Sequence, residues 1–181
     1  MKYLLAGGGT AGHINPAIAI ATVITEKEPD AQILFVGNEG GMEQKLVAQA
    51  GFDFKTIKIS GFSRKLTPKA FAHNIKTAAR ALTATIAAGK IIKEFAPDYC
   101  IGTGGYVSGP VIKAAIKAGI KTAVHEQNAF PGVTTKMLSK NAGVVMLAQE
   151  GAKAYLNKKS NCVLTGNPLK KEIITAKKPE S

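Results

Sequence analysis

A short apolar run, Tyr3-Leu4-Leu5-Ala6, passes directly into Gly7-Gly8-Gly9-Thr10-Ala11-Gly12-His13-Ile14-Asn15-Pro16, and this junction constrains the fold more than any other stretch. An apolar strand that enters clustered glycines and then a helical pattern is how α/β proteins build an anion site. Glycines let backbone N–H groups approach phosphate oxygens closely, and the following helix turns its positive end toward them. The junction therefore predicts a phosphate cradle at the end of a first β-strand.

The rest of the chain repeats the alternation of strand and helix. Ile14, Ala17, Ile18, Ala21 and Ile24 recur at helical spacing, which predicts a helix beginning near Pro16, since a proline is tolerated in the first turn. Ile33-Leu34-Phe35-Val36 is a continuous apolar run of the kind found in a parallel sheet covered on both faces. Met42, Leu46 and Val47 mark a second helix, and Phe54, Ile57 and Ile59 a less regular third strand. Asp98-Tyr99-Cys100-Ile101 reads as a fourth strand ending in a second glycine cluster, Gly102-Thr103-Gly104-Gly105-Tyr106-Val107-Ser108-Gly109-Pro110. A helix carrying Val111, Ile112, Ala115 and Ile116 follows, again with a proline expected in its first turn. Thr122-Ala123-Val124 is a fifth strand running into His125-Glu126-Gln127-Asn128, four polar side chains where open α/β sheets place ligands. Short helices at 134–139 and 150–156 flank a sixth strand at 143–148, and Cys162-Val163-Leu164-Thr165 makes a seventh, leading to Gly166-Asn167-Pro168. The expected fold is α/β: a Rossmann-like, doubly wound, mainly parallel seven-stranded sheet over 1–168, with 169–181 a polar tail or the start of a linker. Loops 8–13, 102–108 and 125–128 converge at one edge. Two glycine clusters there suggest two phosphates, or one diphosphate gripped from two sides.

Composition narrows the partners. With 181 residues, 45% of them hydrophobic, one domain with a full core is expected. Twenty-four Lys and Arg against 12 Asp and Glu leave a formal charge of +12, which points to an anionic partner: nucleic acid, a membrane surface or a phosphorylated substrate. No signal-peptide core precedes Gly7 and no run approaches the ~18 apolar residues of a membrane span, so the expected compartment is the cytoplasm. Cys100 and Cys162 each sit in an apolar run away from metal-ligand spacing and read as buried thiols. Residues 55–93 hold nine basic side chains and no Asp or Glu, with Phe71, Ile75, Leu82 and Ile86 at helical spacing. Two readings stand for that segment: a helix lying on an anionic bilayer, or an ordinary surface helix whose apolar stripe faces the core.

The first glycine cluster also fits the G-x-G-x-x-G dinucleotide fingerprint, which would make the chain a nicotinamide or flavin oxidoreductase. That fold needs a carboxylate at the tip of the second strand for the ribose hydroxyls. Here the strand ends Val36-Gly37-Asn38, and Glu39 comes late. No Gly-Lys-Ser or Gly-Lys-Thr follows a glycine loop, which disfavours P-loop chemistry. No Asp-x-Asp of metal-dependent transferases is present, so neither metal nor cofactor is expected.

Gly8-Gly9-Thr10-Ala11-Gly12-His13, Ile59-Ser60-Gly61-Phe62, Gly104-Gly105-Tyr106-Val107-Ser108-Gly109-Pro110, His125-Glu126-Gln127-Asn128 and Gly166-Asn167-Pro168 resemble, in order and spacing, the amino-terminal half of the MurG family of bacterial glycosyltransferases. The resemblance spans nearly the whole chain. It implies half of a GT-B enzyme, in which two Rossmann-like domains face a cleft. The family transfers N-acetylglucosamine from UDP-N-acetylglucosamine to the C4 hydroxyl of muramic acid in lipid I, an undecaprenyl-diphosphate-linked acceptor, giving lipid II for peptidoglycan. On this resemblance the chain is the acceptor-binding half, inactive alone because the donor is held mainly by the carboxyl-terminal domain. It is either a piece of a longer protein, as its end at Lys177-Lys178-Pro179-Glu180-Ser181 suggests, or one subunit of a split transferase. A non-catalytic lipid-diphosphate-binding module is the alternative.

The resemblance also suggests roles. His13 is the candidate base for the acceptor hydroxyl, or else a diphosphate ligand or helix cap, and Glu126 is the alternative base. Thr10, Ala11 and Gly12 would offer N–H groups to a diphosphate, with Gly104, Gly105, Tyr106 and Ser108 gripping from the facing loop. His125, Glu126 and Asn128 would bind sugar hydroxyls or support His13, and Asn128 matches a family position implicated in donor binding. Ala11 stands where the family usually has glycine. Lys170 stands where it often has Arg, keeping the charge of a donor contact but losing the bidentate fork. The lipid acceptor implies peripheral attachment to the cytoplasmic face of the plasma membrane, through Arg64, Lys65, Lys69, Lys76 and Arg80 around Phe71 and Ile75, with no nucleic acid partner.

Overall fold

Seven parallel strands form one sheet in the order β3-β2-β1-β4-β5-β6-β7. They are β1 (Lys2–Ala6), β2 (Gln32–Asn38), β3 (Asp53–Ile57), β4 (Tyr99–Gly102), β5 (Lys121–Glu126), β6 (Val144–Leu147) and β7 (Cys162–Leu164). The computed structural model describes residues 1–60 and 67–169, without the side chains of 68–76, 78 and 79. Calls on Gly61, Phe62, Arg64, Lys65 and Lys170, and on the side chains of Lys69, Phe71, Ile75 and Lys76, lie outside that description.

Alternation along β1 divides the core in two. Leu4 and Ala6 face a layer that includes Ala84, Ala88, Ile91 and Ile92 from α3 (Pro68–Phe95) and Val107, Val111 and Ile112 from α4 (Gly105–Lys117). Tyr3 and Leu5 face the opposite layer, with Ile14, Ala17, Ile18 and Ala21 from α1 (Ala11–Lys27) and Val47 from α2 (Met42–Gln49). Strands buried on both faces are what a parallel sheet requires, and the run from Ile33 to Val36 meets that requirement.

Chain direction across the sheet reverses between β1 and β4, which pair from Tyr3↔Tyr99 to Ala6↔Gly102. Such a switch point leaves a crevice at the carboxyl ends of the two strands. Both glycine clusters begin there, Gly7 following Ala6 and Thr103 following Gly102. The His125-Glu126-Gln127-Asn128 segment leaves β5, the next strand over.

The helix starts differ from the sequence reading in a consistent way. α1 begins at Ala11 and α4 at Gly105, inside the glycine clusters, so Pro16 and Pro110 each fall at the sixth helical residue and not in the first turn. A proline at that depth withholds an N–H from the carbonyl four residues earlier, at Gly12 and Tyr106. β3 stops at Ile57, leaving Ile59 beyond the strand, where its N–H is taken by Asn38 Oδ1 at 3.0 Å. α5 covers Val133–Leu138, and 150–155 form a 3-10 helix.

Candidate functional site

The first glycine loop is open at its end. Gly9, Thr10, Ala11 and Gly12 are exposed, and Thr10 makes no side-chain cap to α1. The amides of Ala11 and Gly12 are thus among the orphan donors of a helix start, carrying its partial positive charge. His13 comes next, half-buried, its ring turned back across the crevice toward the second loop.

The second loop is closed on itself. Ser108 is fully buried, and its hydroxyl oxygen lies 2.7 Å from the carbonyls of Ala6 and Gly104 while accepting the Gly104 N–H at 3.0 Å. Ser108 therefore ties α4 to β1 from inside the fold, where the sequence reading has it gripping a ligand. Gly104 and Gly105 are bare because neighbours fill the space. A Cβ on Gly104 would stand 2.6 Å from His13 Nδ1, and one on Gly105 would overlap the Gly8 carbonyl oxygen. The two clusters are packed against each other, so the glycines of the second serve the seating of His13. Tyr106 lies over Gly9, half-buried, with burial first and the nearby Glu43 carboxylate second in raising its phenol pKa.

His13 Nδ1 is 3.1 Å from the Thr103 carbonyl oxygen and 3.3 Å from Gln127 Oε1. Both oxygens can accept, so the geometry suits a His13 that donates from Nδ1. Thr103 is fully buried and holds the loop from the other side, donating its hydroxyl to the His13 carbonyl at 2.6 Å. His125 is buried as well, its Nε2 3.0 Å from the Gly166 carbonyl. Burial pushes its imidazole pKa down, against smaller upward pulls from the Gly166 hydrogen bond and the Glu126 charge.

Glu126 is buried with both oxygens engaged. Oε1 accepts from the Asn128 backbone N–H at 3.1 Å and from Asn128 Nδ2 at 3.0 Å, and Oε2 accepts from the Gly132 N–H at 3.0 Å. It shapes the 128–132 loop and leaves Asn128 exposed at the rim. The structure thus brings Thr10, Ala11, Gly12, His13, Tyr106 and Asn128 to accessible positions and turns Ser108, His125 and Glu126 inward.

Three residues escaped the sequence reading. Thr103 and Gln127 lie inside motifs already singled out, but their partners are 90 and 24 residues away along the chain, so spacing could not reveal the contacts. Glu43 is the third. Its buried carboxylate accepts the Asn38 N–H at 2.7 Å, Oε2 has no partner among the described residues, and a Cβ on Gly8, Gly37 or Gly41 would run into it. It supports the glycine loop from behind and is closed to a ribose, while Glu39, just past β2, is paired with Lys58 at 3.2 Å.

The outer face of α3 bears on the two readings of the 55–93 segment. Leu82 and Ile86 are 65% and 58% exposed, while Ala84, Ala88, Ile91 and Ile92 make the core contact, so these two stripe residues face outward. Arg80, Lys90 and Lys93 are exposed on the same helix. No helix among the described residues is long and apolar enough to cross a membrane. Cys100 is buried, its thiol pKa pushed up by burial to about 12, whereas Cys162 is only half-buried.

Comparison with known proteins agrees with this architecture. Residues 3–147, from β1 to the end of β6, match the glycosyltransferase family 28 N-terminal domain. The UDP-N-acetylglucosamine–N-acetylmuramyl-(pentapeptide) pyrophosphoryl-undecaprenol N-acetylglucosamine transferase of Caldanaerobacter subterraneus subsp. tengcongensis is 49% identical over 180 residues, covering 99% of this chain and 48% of the relative. The transferase of the same name from Acetivibrio thermocellus is 49% identical over 175 residues, 96% of this chain and 46% of its own length. The crystal structure of Acinetobacter baumannii MurG superposes with a TM-score of 0.73 at 30% identity, over 91% of this chain and 45% of that one. The chain spans about half the length of these relatives. With its seven-stranded parallel sheet, the two packed glycine loops at the switch point and this match over most of its length, the chain belongs to glycosyltransferase family 28 as its N-terminal, Rossmann-like half of a GT-B fold.

Proposed function

We propose that this chain is the acceptor-binding half of an inverting glycosyltransferase that moves N-acetylglucosamine from UDP-N-acetylglucosamine to the C4 hydroxyl of the muramic acid of lipid I. The observation that carries the reading is His13: it sits in the first turn of the uncapped α1, its Nδ1 lies against the Thr103 carbonyl and Gln127 Oε1, and its Nε2 has no partner among the described residues. The acceptor oxygen attacks the anomeric carbon as the bond from that carbon to UDP breaks. The acceptor proton passes to His13 Nε2, and the diphosphate charge of one substrate lies against the amides of Thr10, Ala11 and Gly12. Asn128 and Tyr106 line the same rim. Glu126 serves here as the support of the Asn128 loop and not as the base.

Lipid I stays in the bilayer, so this half docks on the anionic cytoplasmic leaflet. The outward-facing Leu82 and Ile86 with Arg80, Lys90 and Lys93 support that docking, each cation near the surface contributing about 1 kcal/mol. The test is transfer from UDP-N-acetylglucosamine to lipid I by the chain alone, by the chain supplied with the donor half of a relative, and by His13→Ala in that pairing. The expected result is no transfer alone, transfer when paired, and a loss of about 10²–10⁴ in turnover for His13→Ala with acceptor affinity retained. Lipid binding without transfer in the pairing supports a non-catalytic module instead, and unchanged turnover in His13→Ala removes the base role.

A further inference from the structure

What holds the His13 ring in register is a relay that begins at the far end of the chain. The Gly166 carbonyl is 3.0 Å from His125 Nε2, which therefore carries a proton and leaves Nδ1 as an acceptor. Gln127 Nε2 donates to that Nδ1 at 3.1 Å and to the Thr103 carbonyl at 2.7 Å. With the amide nitrogen committed to two acceptors, Oε1 faces His13 Nδ1 at 3.3 Å. The reversed amide would set its oxygen against the Thr103 carbonyl and the His125 lone pair, so the orientation is determined by its neighbours.

We propose that Gln127 is a positioning residue of this site: its amide, oriented by His125 on the Gly166 carbonyl, holds His13 as the Nδ1–H tautomer with Nε2 free to take a proton. The proposal rests on the reading of His13 as the base, and it adds that the tautomer is set by residues that never touch substrate. Burial keeps the His125 ring neutral more readily than an exposed imidazole, which preserves its acceptor. The titratable groups around the relay are His13, His125 and Glu126, with Glu43 and Tyr106 across the glycine loop. The Glu126 carboxylate is already engaged by Asn128 and Gly132. Because Gly166 lies just beyond β7, the relay also joins the crevice to the segment by which the chain leaves the sheet.

Histidine 15N NMR on the 181-residue chain tests this without any sugar transfer. The wild type is expected to show His13 as Nδ1–H and His125 as Nε2–H. Gln127→Leu, which fills the space but offers no acceptor, is expected to raise the Nε2–H share of His13 several-fold. Gln127→Glu, which keeps an acceptor there, is expected to retain Nδ1–H. A wild-type His13 in the Nε2–H form overturns the proposal, as does a Gln127→Leu spectrum with unchanged tautomers. If leucine unfolds the chain, Gln127→Glu carries the test, and a His13 in the Nε2–H form there overturns it. Unchanged turnover in His13→Ala leaves these spectra as they are, so the base reading and the positioning role fail separately.

Discussion

Gly105→Ala tests the contact between the two glycine loops directly. Gly105 opens α4 at φ +75°, and an added Cβ would overlap the Gly8 carbonyl oxygen and stand 3.3 Å from His13 Cδ2. Two costs add. A left-handed conformation costs an L-residue about 1–2 kcal/mol, and parting two packed backbone segments costs roughly 1–3 kcal/mol more, as overpacking does. The expected destabilisation is thus about 2–5 kcal/mol. Gly119→Ala is the matched control, because Gly119 has φ +73° and open space where the Cβ would go. Only the conformational cost applies there. Urea and thermal unfolding of the two variants should differ by the packing part, roughly 1–3 kcal/mol, which for a chain of this size is a gap in Tm of about 2–12 °C. The His13 ring signals should shift in Gly105→Ala and stay fixed in Gly119→Ala. Equal destabilisation of the two variants would refute the claim that the second cluster is glycine-rich in order to pack against Gly8 and His13.

Other outcomes follow from the same geometry. The folded-state pKa of His125 lies below its unfolded value of roughly 6.5, so the unfolded chain binds the extra proton. Stability is then full above about pH 6.5 and falls with decreasing pH until the folded pKa is reached, by at most about 1.4 kcal/mol per pH unit. Urea midpoints for wild type and His125→Asn from pH 7.5 to 5 should show that loss only in the wild type. Cys100, buried with its thiol raised to about 12, should resist alkylation in the folded chain, while Cys162 reacts first, as mass spectrometry after timed labelling would show. Leu82→Glu with Ile86→Glu should abolish co-sedimentation with phosphatidylglycerol vesicles and leave the unfolding midpoint within about 0.5 kcal/mol, as expected for exposed positions. Equal binding of wild type and double variant counts against that face as the membrane contact.

Much of the architecture is legible because it is local. The run from Ile33 to Val36, the helical spacing of Ile14, Ala17, Ile18 and Ala21, and the repetition of strand, glycine cluster and helix are each properties of adjacent residues. They define all seven strands, and the glycine clusters with His125-Glu126-Gln127-Asn128 mark the ligand edge. The helix starts were less legible, since Pro16 and Pro110 suggest first turns and the helices instead reach back into glycine. The α3 stripe shows the same limit: spacing identifies which residues share a face, but whether Leu82 faces the core or the outside depends on what packs against the helix.

By itself the sequence determined the doubly wound class, the gathering of the glycine loops at one edge and the family, because these rest on periodicity and on the order of short motifs. Tertiary structure alone decided which polar residues face the crevice. Ser108 and Glu126 read from the sequence as ligands, yet their oxygens are bound to backbone carbonyls and amides inside the fold. Thr103 and Gln127 gained their roles by meeting His13 across the switch point, 90 and 114 residues apart. Hydrogen bonding is a short-range interaction between groups that topology brings together, and the tautomer of a histidine is written in its neighbours, not in its own place in the chain.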